Sequence, residues 1–237
     1  MRVNWSADFS EQARATFIIC TVDKHLEERH RMVTEQIMRR GLHDARLLAA
    51  FDEVPRHLFV PESSRFAAYD DTPLPICFGQ TISQPYIVAL MTESLGLCGS
   101  ERVLEVGTGS GYQAAILSHL AGEIHTIELV PELSERAAAL LQKLECHNVH
   151  VHTGDGSLGW PPSAPYASII VTAAAPDVPP PLLEQLADGG RLVAPVEHQD
   201  AYQLLKLMTR RGEEIEESVV TSVAFVPLRG KYGRKGF

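Results

Sequence analysis

The spacing of apolar positions changes near residue 100, and that change divides the chain. Between Lys24 and Arg40, Leu26, Met32, Val33, Ile37 and Met38 recur at mostly helical intervals among dense charges, with Gly41 as a stop. Asp44 to Glu53 predicts a second helix ended by Pro55, and the prolines and acids from Pro61 to Pro75 predict a loop. A third helix is expected from about Gln84 to Leu95. From Arg102 short apolar runs alternate with amphipathic stretches. Strands are expected at Arg102–Val106, Ile124–Glu128, Val149–Thr153, Ser168–Thr172 and Arg191–Val196, and helices near Tyr112–Leu120, Pro131–Leu144 and Pro180–Leu186. Such alternation implies an α/β fold, a largely parallel sheet with helices on both faces. Tyr202–Thr209 and Ser218–Val226, joined by the polar stretch Arg210–Glu217 with its Gly212, predict an antiparallel hairpin at one sheet edge.

Residues 1–22 show no clear period and read as an extension before a single domain over 23–237. Within it, 23–100 is a helical and substrate-loop part and 101–237 a cofactor-binding sheet. A chain of 237 residues with 45% hydrophobic content can bury one substantial core. The net charge of −9 disfavours a nucleic-acid partner, because phosphate binding needs clustered cations. Cys20, Cys77, Cys98 and Cys146 are far apart and form no CxxC pair, so they read as reduced thiols in a cytoplasmic protein. No apolar run approaches the roughly 20 residues that span a bilayer, no membrane partner is expected, and a monomer is.

Val103-Leu104-Glu105-Val106-Gly107-Thr108-Gly109-Ser110-Gly111-Tyr112 is a strand running into a glycine-rich turn and then a helix. Glycines let the backbone approach a ligand, and the helix start offers free N–H groups. A nucleotide-like ligand fits, although a plain βα turn has the same pattern. The dinucleotide fingerprint GxGxxG is broken, since Tyr112 stands where the third glycine belongs, and this weakens a dehydrogenase reading. Glu128 ends the next strand, where an acid grips ribose hydroxyls, and Gly154-Asp155-Gly156 follows the strand after that.

The earlier stretch Gly79-Gln80-Thr81-Ile82-Ser83-Gln84-Pro85 brings two hydroxyls to a helix start that needs one cap. Ser83 is open to two compatible readings, an N-cap or a hold on an acceptor group. Three further features have weaker readings. The small residues Thr172-Ala173-Ala174-Ala175 leave space or pack closely. The run His147–His152 reads against a metal site, because one strand face carries only His150 and His152 and no acid is adjacent in sequence. The basic end Arg229, Lys231, Arg234 and Lys235 reads as a solvated tail.

With Glu128, the GDG turn and "VTAAAPDVPPPLLEQL", the sequence VLEVGTGSGYQAA resembles the S-adenosylmethionine-dependent methyltransferases. Adding GQTISQP, the chain from about Arg31 to Gly230 is similar to the protein-L-isoaspartate O-methyltransferase family. The resemblance implies a Rossmann-like seven-stranded sheet, S-adenosyl-L-methionine as methyl donor with S-adenosyl-L-homocysteine as product, no metal, and isoaspartyl proteins and peptides as acceptors. It carries cofactor contacts onto Glu105, Gly107, Thr108, Gly109, Ser110, Gly111, Glu128, Asp155 and Gly156. The active-site serine falls on Ser83, with Thr81, Ile82 and Gln84 as substrate-side neighbours. Two positions depart from the family pattern, Ala167 where Asp is usual and Ala224 where Arg is usual.

Methyl transfer to a carboxylate needs in-line placement rather than a strong base, because a carboxyl with a pKa of about 3.5–4 is already ionised. What must be supplied is a hold on the anion and exclusion of water. Transfer to a small-molecule acceptor, and a binding module that keeps only the donor pocket, remain the competing readings.

Overall fold

The computed structural model describes residues 24–234, so the expected extension of residues 1–22 lies outside the described residues. Helix α1 covers Lys24–Arg31, after which the winding loosens to a π turn over Met32–Ile37 and tightens to a 3-10 turn over Met38–Arg40. The one helix expected there changes pitch twice. Met32 and Ile37 are five residues apart and both wholly buried. The wider i→i+5 winding brings both to the core side, where an α-helix would turn one away. Helix α2, Ala45–Glu53, is capped by Asp44, whose carboxylate accepts the Arg46 and Leu47 N–H groups at 2.8 and 3.3 Å.

The expected loop from Pro61 to Pro75 holds a 3-10 turn at Glu62–Ala67 and ends in a small hairpin, β1 (Leu74–Pro75) against β2 (Thr81–Ile82). Helix α3, Pro85–Leu95, starts with Pro85 as its first residue and stops at Gly96, which takes φ 64°. Its cap position is Gln84, with no side-chain cap bond of its own. Asp71 acts instead. Its Oδ1 accepts the Tyr86 N–H at 3.2 Å, and its Oδ2 accepts from Arg40 at 2.8 Å and Gln84 at 3.3 Å. The N-cap reading of Ser83 is therefore overturned, because a remote carboxylate does that work.

The main sheet contains β3 (Arg102–Val106), β4 (Glu123–Glu128), β5 (Val149–Thr153), β6 (Tyr166–Val171), β7 (Leu186–Glu197), β8 (Gln203–Arg211) and β9 (Glu214–Val223). Their order is β5-β4-β3-β6-β7-β8-β9, parallel from β5 to β7 and antiparallel from β7 to β9. This is the seven-stranded, mostly parallel sheet with the expected C-terminal hairpin. Central β3 buries Val103, Leu104 and Val106 on alternate faces, as a strand covered on both sides must. One core cluster joins Val103, Ile124, Ile170 and Val193 to residues of the π turn, α2, α3, α4 (Tyr112–Ser118) and α5 (Pro131–Lys143). The other joins Leu104, Val106, Ile169 and Leu192 to the five-residue α6 (Pro180–Glu184). Both faces carry helix, but unequally.

The thinly covered face bears a stack of rings. His125 of β4 stands beside its register partner His150 and donates or accepts at 3.0 Å with His152, and His152 stacks on Trp160 at 3.9 Å between centroids. An acid does lie beside them, since Glu123 Oε1 is 3.3 Å from His125 and 3.7 Å from His150. Among the described residues no group of three or more His, Cys, Asp or Glu side chains is arranged to hold a metal ion. Burial lowers the His125 pKa and brings that of His152 down to about 4. Strand β9 closes the sheet on the opposite edge, with Ile215 and Val219 exposed among carboxylates. No helix among the described residues is long and apolar enough to cross a membrane.

Candidate active site

The chain leaves β3 toward β4 on one side and returns to β6 on the other, so β3 and β6 part at their carboxyl ends. That switch point is where open parallel sheets bind ligands. A cleft there encloses about 910 Å³ of non-protein space, some of it open to solvent.

The glycine turn forms the floor. Gly107 and Thr108 donate to the Ile127 carbonyl at 2.9 and 3.3 Å, and Thr172, just past β6, donates its hydroxyl to the Gly107 carbonyl at 2.6 Å. Gly109 takes φ 53°, and Ile76 of the small hairpin lies 3.7 Å from where its β-carbon would stand. A side chain there would meet backbone strain and fill the gap between hairpin and turn. Glu128 Oε2 accepts the Gly109 N–H at 2.8 Å and Oε1 accepts the Val130 N–H at 3.0 Å, so its carboxylate organises the turn while facing the cleft.

Glu105 is wholly buried in the middle of β3 and lines the cleft, with neither carboxylate oxygen hydrogen-bonded. Burial pushes its pKa up to about 8, the Thr126 hydroxyl opposing and the Glu128 charge reinforcing the shift. A buried carboxyl on the wall of a cleft, with only the Thr126 hydroxyl acting to ionise it, has the chemistry to accept from a ligand donor.

Of the residues singled out from sequence, Thr81, Ile82, Ser83, Glu105, Gly107, Thr108, Gly109, Ser110, Glu128 and Gly156 line this cleft. Gln84, Gly111 and Asp155 do not. Gln84 points at Asp71. Gly111 starts α4, and a β-carbon on it would stand 3.3 Å from that of Ala137, so its place is helix packing. Asp155 spends Oδ1 on the Ser157 N–H and hydroxyl and Oδ2 on the Lys231 N–H. Its flanking Gly156 lies against Val106, where a β-carbon would stand 2.7 Å from Cγ1.

The Lys231 contact corrects the solvated-tail reading. Tyr232 N–H also donates to Ser157 Oγ at 3.1 Å, and Arg234 N–H to the Leu228 carbonyl at 2.9 Å, so residues 229–234 fold back on the loop after β5. Lys235 lies outside the described residues. In the alanine run, Ala173 lines the cleft, while Ala174 and Ala175 bridge to Pro227 and Val196. Ala167 and Ala224 are away from the cleft, Ala224 on the exposed surface.

Sequence reasoning missed Arg56, Gln113, Thr172 as a ligand-side residue, and the wall Phe225–Arg229. Arg56 had a legible signal, a lone cation inside the apolar run Val54–Val60. The wall had none, because its residues reach the cleft through long-range hydrogen bonds, Phe225 with Gln203 and Val226 and Leu228 with Ala174.

Residues 27–233 match the family described as protein-L-isoaspartate(D-aspartate) O-methyltransferase. The chain is 52% identical over 222 residues to protein-L-isoaspartate O-methyltransferase 2 of Shewanella sediminis, covering 94% of this chain and 91% of that one. It is 55% identical over 207 residues to the protein-L-isoaspartate O-methyltransferase of Methanoregula boonei, covering 87% and 95%. A solved protein-L-isoaspartate O-methyltransferase superposes with TM-score 0.79 at 28% identity, over 88% of this chain and 67% of that one. A Plasmodium falciparum chain solved with S-adenosyl-L-homocysteine shares the fold, with TM-score 0.74 at 24% identity over 85% and 98%.

Proposed function

The chain belongs to the protein-L-isoaspartate(D-aspartate) O-methyltransferase family, and from that premise we propose that the cleft holds donor and acceptor side by side, with Ser83 gripping the acceptor. The enzyme methylates the α-carboxylate that isoaspartyl residues expose in damaged proteins, using S-adenosyl-L-methionine. The residues present suit that donor. Glu105 offers two unpartnered oxygens to an ammonium group, Glu128 offers a cleft-facing carboxylate to a diol, and the turn at Gly109 admits close backbone approach. When bound, the donor supplies a sulfonium-activated methyl group that the carboxylate oxygen takes, leaving a methyl ester and S-adenosyl-L-homocysteine.

The observation that carries the assignment of Ser83 is its presence, with Thr81, in one cleft with the glycine turn. A hydroxyl donor can hold a carboxylate in line without taking its charge, and the apolar neighbours Ile82, Val88 and Met91 limit water around it. Thr81 is exposed at the rim and suits contact with the flanking peptide. Asp155 is read as the support of the adenine-side loop and Gly156 as its contact surface. The enzyme is read as a cytoplasmic monomer without a nucleic-acid partner.

Labelled donor with an isoaspartyl peptide and its aspartyl twin tests the acceptor class; equal or absent labelling of both defeats it. Donor binding by calorimetry without turnover would favour a binding module, and turnover on small carboxylates alone a small-molecule enzyme. Ser83→Ala should lower kcat on the isoaspartyl peptide with donor Kd unchanged. Because Asp71 and not Ser83 caps α3, its Tm should stay near wild type, and a wild-type kcat would remove Ser83 from the reaction.

A further inference from the structure

Arg56 is wholly buried, and its charge is met by dipoles and an aromatic face. Its Nε donates to the Ala68 carbonyl at 2.8 Å, one Nη donates to the Ser83 carbonyl at 2.7 Å, and the guanidinium carbon sits 4.8 Å from the centroid of the Tyr112 ring. The other Nη has no hydrogen-bond partner. Burial lowers its pKa, with Tyr112 the main opposing influence, yet a guanidinium stays protonated. A buried charge is a poor device for stability, since an apolar residue of similar volume usually serves as well or better. What a guanidinium fork adds is fixed geometry at several points. The points here belong to three segments. Ala68 sits in the loop before the hairpin, Ser83 in the acceptor loop, and Tyr112 opens α4 directly after the glycine turn, with Ser83 and Tyr112 both lining the cleft.

We propose that Arg56 is a positioning residue for methyl transfer, its fork fixing the Ser83 backbone against the first turn of α4 and so setting the separation between acceptor hold and donor. The inference rests on the reading of Ser83 given above.

The test is a double-mutant cycle on the full chain with an isoaspartyl peptide and saturating donor. Arg56→Lys keeps the charge and removes the fork. It should lower kcat about ten- to hundred-fold, the scale of a small misplacement of reacting groups, while donor Kd and peptide KM stay within about twofold of wild type. In the Ser83→Ala background the same change should cost nothing further, because both variants lose one alignment. Losses that multiply, or a wild-type kcat for Arg56→Lys beside a slowed Ser83→Ala, overturn the role of Arg56 and leave Ser83 in place. A wild-type kcat for Ser83→Ala defeats the Ser83 reading and this inference with it. If Arg56→Lys does not fold, the wild-type enzyme carries the test by nitrogen-15 guanidinium NMR. The Arg56 Nη–H signals should become more protected from exchange when peptide and S-adenosyl-L-homocysteine bind; unchanged protection reduces Arg56 to a core residue.

Discussion

Glu105 carries the sharpest consequence of any single side chain. Its pKa rises from 4.5 to about 8 in the fold, so between those values the native state holds a proton that the unfolded chain has released. Stability of the ligand-free protein therefore falls as pH rises across that window and levels above it. Glu105→Gln should flatten the slope, raise the ligand-free Tm at pH 8, and weaken donor binding about ten- to hundred-fold, the loss of a charged hydrogen bond of about 1.5–3 kcal/mol. Thermal melts from pH 5 to 9 with calorimetry check all three, and an unchanged slope would place the titration elsewhere. In wild type, donor binding near pH 7 should release a proton, visible as an enthalpy that varies with buffer. The sequence marks the acid of VLEVGTGSG but not its isolation, which arises because the fold buries it fully on the wall of a cleft that Val88, Met91 and Gln113 of two helices also line. Ser83 and Glu128 were legible from motif and strand end. Arg56 stood out as a cation in an apolar run, but its role did not, because its partners lie 12, 27 and 56 residues away in sequence and only the folded loops bring them together.

At the level of elements, the apolar runs located β3 and β5 to the residue, whereas β7 begins at Leu186 rather than Arg191 and β9 at Glu214 rather than Ser218. Residues 187–190 and 214–217 break the apolar pattern within those strands, and the connection between β8 and β9 shortens to a tight turn. Periodicity failed where tertiary contacts set the winding, as in the π turn that buries Met32 and Ile37. It also failed where two strands together make a surface. His150 and His152 were visible on one strand, but their neighbour His125 comes from β4 through register alone. The stack has a pH signature. His152 falls from 6.5 to about 4 in the fold, so the unfolded chain binds the extra proton between those values and stability is lost as pH drops through them. His152→Phe keeps an aromatic face for Trp160 and should reduce the loss of Tm between pH 6.5 and 4; an undiminished loss would assign the acid sensitivity to other groups. His125, also depressed by burial, accounts for the slope that should remain.

Across the whole molecule, two segments outside the sheet are tied to the parts that form the cleft. Asp71 fastens Arg40 to the start of α3, and residues 229–234 fasten the loop after β5. Neither tie was legible, because Asp71 meets Arg40 across 31 residues and Asp155 meets the Lys231 N–H across 76, separations that leave no local pattern in the sequence. Ending the chain at Gly230 removes the Lys231 and Tyr232 hydrogen bonds. At about 1 kcal/mol each this should lower Tm by roughly 4–8 °C and weaken donor binding several-fold; a truncated enzyme with wild-type affinity would make the tie purely structural. A last feature acts between molecules rather than within one. Strand β9 runs ten residues along the sheet margin with one row of peptide groups unpaired by any neighbouring strand of the described fold, and Ile215 and Val219 lie open on it. Such a margin is a template for strand-on-strand growth, and the charges of Glu214, Glu216 and Glu217 guard it. Where acid charges the His152 stack on the far side of the sheet and opens the fold, this margin should lead the opened chains into irreversible precipitates rather than a refoldable denatured state.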